Sequence, residues 1–134
     1  MDYPALQSEL TADPLTRGYA AMTDVQVVTS LTTANRTVSR DVIPAREVIE
    51  ATAAAEWAAL TAQEKQRYAL LTGAGEISVK GANTRAAFLA MFGAGTATRT
   101  ALAALQTQAA TRAAELGLGT VTALDVQRAR LGVW

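Results

Sequence analysis

Residues 83–117 read NTRAAFLAMFGAGTATRTALAALQTQAATRAAELG, and the punctuation of this stretch points to two helices joined by a sharp turn. Asn83 is a residue type that caps helix N-termini, so a helix is expected from there to Phe92. Gly93-Ala94-Gly95 then supplies the permissive backbone of a tight reversal. Thr96 or Thr98 can cap a second helix, expected to be the longest of the chain, that runs to Leu116 and stops before Gly117. On it Leu102, Leu105, Ala109, Ala113 and Leu116 make one seam, while Ala101, Ala104 and Ala110 allow a close second contact. The pair reads as an αα-hairpin.

The rest of the chain repeats this grammar. Downstream, Thr122-Ala123-Leu124-Asp125 opens a final helix that ends at Gly132 and leaves Val133-Trp134 as a terminal hook. Upstream, Thr61-Ala62-Gln63-Glu64 is a capping box that starts another helix, with Gly73 as its stop. Pro44 suits the first position of a helix reaching Leu60, on which Ile49, Ala53, Trp57 and Leu60 fall at helical spacing. At the start, helices are expected over Tyr3–Leu10 and Asp24–Thr33, the second with Val25, Val28 and Leu31 on one face. Between them lies DPLTRGYAAMTD (13–24). Its Pro14 ends the first helix, Gly18 permits a left-handed backbone before the aromatic Tyr19, and Thr23-Asp24-Val25-Gln26 forms a capping box. Only NRTVSRDVI (35–43) and EISVK (76–80) have the β-branched character of extended segments, and the two could pair.

The expectation is an all-α, or mainly α, fold. It is a compact bundle of about six short-to-medium helices with the αα-hairpin near the C-terminus and at most a minor two-stranded ribbon. A single helical domain spans 1–134. Its expected core includes Leu31, Ile49, Trp57, Leu71, Phe88, Leu102, Leu105 and Leu116.

Composition narrows the chemistry. Half of the 134 residues are hydrophobic but only 5% are aromatic, a balance that favours close helix packing. There is no cysteine and no histidine, which removes disulfides, thiolate nucleophiles, imidazole bases and the commonest transition-metal ligands. The remaining candidates are unpaired carboxylates and hydroxyls with no base in reach, so no enzyme activity, cofactor, metal or small-molecule substrate is expected. Apolar runs such as 86–92 are far below the roughly 18 residues that span a bilayer, and no basic segment followed by an apolar one opens the chain; no membrane partner is expected.

The charge is neutral overall but uneven. Residues 1–64 carry nine acids against four bases, and residues 65–134 three acids against eight bases, so the halves stand at minus five and plus five. Either the halves pair within one subunit, or the acidic half of one copy meets the basic half of the next in a head-to-tail ring.

Three motifs suggest chemistry but have simpler readings. GAGEISVKG (73–81) has the glycines of a phosphate loop but follows a helix and lacks Gly-Lys-Ser/Thr, so it reads as a loop with a short strand. Glu47 and Glu50, one turn apart beside Arg46, read as a solvated helix face. AAELGLGTVTALDVQRARLG (113–132) has the outline of a helix-turn-helix in which Arg128 and Arg130 would meet phosphates. Its second helix offers few base-reading side chains, and Asp125 would repel the DNA backbone, so nucleic acid is not the expected partner.

Taken end to end, the segments DPLTRGYA, FGAGT (92–96), RAAELGLGTVT and DVQRAR resemble a family of small proteins encoded among the virion structural genes of tailed bacteriophages. The resemblance covers nearly the whole chain. It implies a non-enzymatic virion subunit, made in the bacterial host cytoplasm, that assembles with copies of itself as a ring and with larger neck, tail or capsid proteins. A neck or tail connector stands ahead of a capsid decoration protein, and a small helix-turn-helix regulator using residues 113–132 is the reading from another class. The segments NRTVSRD and RARLGVW then supply the candidate subunit contacts: Arg36, Arg40, Arg128 and Arg130 as hydrogen-bond donors, and Trp134 as an apolar anchor.

Overall fold

A computed structural model describes residues 1–134 and is mostly helical, with a small amount of sheet. Its α-helices are α1 (Tyr3–Ala12), α2 (Asp24–Thr32), α3 (Ala45–Ala51), α4 (Ala54–Ala58), α5 (Ala62–Gly73), α6 (Ala82–Met91), α7 (Ala97–Ala104), α8 (Arg112–Glu115) and α9 (Ala123–Leu131). Its strands are β1 (Arg36–Ser39), β2 (Val42–Pro44), β3 (Glu76–Ser78) and β4 (Thr107–Ala110). The chain forms two units, one from residues 1–37 and 109–134, the other from residues 38–108.

In the first unit, Leu6 of α1, Val27 and Leu31 of α2, Ala113 of α8, and Val126 and Ala129 of α9 close around Tyr19. The Asp13 corner shapes this core. Asp13 ends α1 in the left-handed region, at φ 40°, and its carboxylate accepts from the amides of Arg17 and Gly18 at 2.8 and 2.6 Å. Gly18, at φ 79°, turns the chain so that Tyr19 is buried. Capping boxes open α2 at Thr23 and Gln26 and α9 at Thr122 and Asp125, as their spacing predicts.

The second unit holds two apolar clusters. One gathers Leu60, Tyr68, Ala87, Met91 and Phe92; the other gathers Ile43, Ala45, Val48 and Ile77; Phe88 and Leu102 pack against both. The pairing expected between 35–43 and 76–80 is present as β2 against β3, antiparallel, with Val42 opposite Ser78, Ile43 opposite Ile77 and Pro44 opposite Glu76. The capping box at Thr61 and Glu64 opens α5, also as expected.

Four expectations need correction. The long helix from Thr96 to Leu116 stops at Ala104: residues 107–110 are instead a strand, β4, paired with β1 in a second two-stranded sheet. The carbonyl of Gln106 accepts from the Arg40 amide at 2.9 Å, so the backbone groups freed by leaving the helix find partners on an extended neighbour. The helix from Pro44 to Leu60 is broken at Thr52, where the buried Thr98 hydroxyl accepts the Ala53 amide at 2.9 Å and stabilises the break. The 3.6-residue register expected for one continuous helix is therefore not kept from α3 to α4. Both Ile49, in α3 before the break, and Trp57, in α4 after it, are exposed, at 51% and 41%, rather than in the core. Val25 is likewise exposed, because α2 buries Val27 and Leu31 instead. Finally, Asn83 lies inside α6 and not at its cap, which is Gly81.

Candidate contact surfaces

Of the five proposed contact residues, Arg36, Arg128, Arg130 and Trp134 belong to the first unit and Arg40 to the second. All four guanidiniums are engaged within their own unit. Arg36 Nε donates to Glu115 Oε2 at 3.1 Å. Arg40 donates to both carboxylate oxygens of Glu47, at 2.6 and 3.2 Å. Arg128 Nη1 donates to the Tyr3 hydroxyl at 3.3 Å. Arg130 Nη1 donates to Asp24 Oδ1 at 2.7 Å, and its Nη2 donates to the carbonyls of Tyr19 and Met22, each at 2.8 Å. Arg130 therefore ties α9 to the corner before α2, donating to the Met22 carbonyl and adding a second donor to the Tyr19 carbonyl, which also accepts from the Met22 amide.

These pairs set the local electrostatics. Hydrogen bonds from Arg36, then from Arg112, hold the Glu115 carboxyl below the usual carboxylate range. The Arg40 bond does the same to Glu47. Asp125 is lowered by hydrogen bonds from Thr122 and from the Tyr3 hydroxyl, the latter at 2.8 Å.

The C-terminal hook is built by Gly132. At φ 66° it ends α9 in the left-handed region, and the Val133 amide donates back to the Arg128 carbonyl at 3.1 Å. The turn lays the Trp134 ring on Tyr3, stacked with centroids 5.8 Å apart and an interplanar angle of 11°. Even so, Trp134 stays 55% exposed, and Leu131 and Val133 beside it in the chain are also more than half exposed. The hook is thus positioned by its own unit without being buried by it.

Two features of the structure are absent from the sequence reading. Arg112 of α8 is the centre of an ion-pair chain: it donates to Glu9 through Nε and Nη2 at 2.9 and 2.8 Å, and through Nη1 to Glu115 Oε2 at 3.1 Å. Glu9 also accepts from the Tyr19 hydroxyl at 3.3 Å, and Arg36 closes the far end on Glu115. Glu9 is buried. The one local clue is Arg112 and Glu115 at i, i+3 spacing. In the second unit, the walls of an apolar cavity of about 140 Å³ include Ile43, Val48, Ile77, Phe88 and Leu102, with Arg85 and Arg99 among them.

No cluster of three or more acidic side chains converges in a geometry that could hold a metal ion. No helix is long and apolar enough to cross a membrane. As for the helix-turn-helix outline at 113–132, its first helix, α8, is only four residues long, and Arg130 is committed to Asp24 and two carbonyls. No family model, curated protein or solved structure matches the chain.

Proposed function

We propose that this protein is a non-enzymatic structural subunit of a tailed-phage virion, a connector or attachment protein of the neck or tail that assembles with copies of itself and with larger ring proteins. The observation that carries the reading is the hook. Leu131, Val133 and Trp134, all more than half exposed, lie around the glycine that caps α9, and exposed apolar side chains on such a preordered end are the kind of anchor that protein interfaces bury. The polar surroundings fit this role, because Arg128 and Arg130 fix α9 from within and leave the hook as the part of that helix free to meet a neighbour. The resemblance of DPLTRGYA, FGAGT and RAAELGLGTVT to phage virion proteins supplies the setting. Mass spectrometry of purified particles tests the reading: the protein should be present at a stoichiometry that is a multiple of the ring symmetry. Its absence from particles, with expression during infection, would overturn it.

A further inference from the structure

From Ile77 to Ala114 the chain has four basic residues, Lys80, Arg85, Arg99 and Arg112, and no acidic one. Two of the four are neutralised by contacts in the structure: Lys80 pairs with Asp41, and Arg112 with Glu9 and Glu115. Arg85 of α6 and Arg99 of α7 have neither an ion-pair partner nor a side-chain hydrogen bond, and they line the same cavity. The cavity's apolar lining includes Ile43, Ile77, Phe88 and Leu102, and apart from the two arginines its polar lining is neutral: Ser78, Thr84 and Gln106. At about 140 Å³ it matches the size at which an apolar cavity accepts a single benzene ring.

Two unpaired cations beside an apolar hole specify an occupant with an apolar end of one side chain's size and negative charge next to it. We propose that the cavity is a docking socket for one Phe- or Leu-sized side chain of a partner protein, flanked in that partner by carboxylates that pair with Arg85 and Arg99. The proposal rests on the reading of the chain as an assembling subunit and names the chemistry of one of its contacts. The apolar side chain supplies the affinity by leaving water, and the two guanidiniums select against a basic flank.

Three blocked tripeptides test this by ¹⁵N NMR titration of the full chain: Ac-Asp-Phe-Asp-NH₂, Ac-Asp-Ala-Asp-NH₂ and Ac-Lys-Phe-Lys-NH₂. The first should shift amides of α6, α7 and β3. The alanine peptide should bind about tenfold more weakly for loss of the buried ring. The lysine peptide should bind about threefold or more weakly, the scale of rim charge pairs. In the R85E/R99E variant, folded by circular dichroism, the preference should invert in favour of the lysine peptide. Three results would overturn the proposal: no saturable shifts with any peptide, shifts mapping away from the cavity, or an unchanged charge preference in R85E/R99E. Binding of free 3-phenylpropionate without binding of the Asp-Phe-Asp peptide would also overturn it, by assigning the cavity to a small carboxylate. These results are independent of virion mass spectrometry, so a subunit present in particles with an inert cavity would sink this inference alone.

Discussion

Arg112 reaches Glu9 across 103 positions of sequence and holds its buried carboxylate with two hydrogen bonds, at 2.9 and 2.8 Å. Burial strips water from the Glu9 carboxylate, and the guanidinium fork replaces it with matched donors. The same guanidinium then pairs with Glu115, which Arg36 also holds, so α1, α8 and the start of β1 are joined by one run of charges in the first unit.

The first prediction concerns that pair. Arg112→Met should destabilise the protein by about 3–5 kcal/mol in urea denaturation, because it leaves a buried carboxylate without its cationic partner. Glu9→Gln combined with Arg112→Met should recover a large part of the loss, since the amide can still accept from Tyr19 and carries no charge. A double variant no better than Arg112→Met alone would show that packing by Arg112, and not its charge, is what matters.

Acid should weaken the protein through Glu115 and Glu47. Both carboxyls are depressed in the folded state by their arginine partners. A depressed folded value means that the stability each contributes is complete above the ordinary carboxylate pKa of about 4.3 and is lost as pH falls through the folded value. The melting temperature should therefore decline on acidification below about pH 4.3, and Glu115→Gln should flatten that decline while lowering stability at neutral pH. Identical acid limbs for the variant and the parent would contradict the assignment.

Core and surface should separate cleanly at two positions that sequence spacing treats alike. Leu31 is fully buried and Ile49 is half exposed. Leu31→Ala should cost about 2–5 kcal/mol, whereas Ile49→Ala should stay within about 0.5 kcal/mol. Equal losses in chemical denaturation would return Ile49 to the core.

DNA retention should be absent. With α8 only four residues long and Arg130 bonded inside its own unit, the arginines of α9 are poorly placed to read a groove. A gel shift at physiological salt should show no retention for the parent, and none for Arg128→Ala. Sequence-specific retention lost in Arg128→Ala would promote the regulator reading.

Much of the local structure was legible because its signals are short-range. Capping boxes at Thr23, Thr61 and Thr122 each act over three residues, and Gly18 and Gly132 declare left-handed turns on their own. The failures lie where partners are distant. An Ala-rich run such as 96–116 is helical by propensity, yet the strand at 107–110 depends on β1 some seventy residues earlier. The helix break at Thr52 depends on Thr98, whose hydroxyl takes the Ala53 amide, and on Glu56, which accepts from the amides of Ala97 and Thr98 at 2.8 Å each and caps α7. The contact residues show the same division. A sequence can nominate Arg36 and Arg130 as donors, but it holds no record of Glu115 or of the Tyr19 carbonyl as their acceptors. Arg85 and Arg99 carry no sequence signal for the converse reason: they are distinguished by the partners they lack, which only the folded chain reveals.

The most direct test of the account is particle incorporation of the chain lacking Val133 and Trp134. The Tyr3 stack is a single, largely exposed aromatic contact, worth about 0.5–1.5 kcal/mol, so the truncated subunit should stay folded with only a small drop in melting temperature. It should nonetheless be missing from purified virions in which the full chain is present. Truncated subunit incorporated at the parental level, or a full chain that never enters particles, would contradict the claim that the exposed hook is an assembly contact.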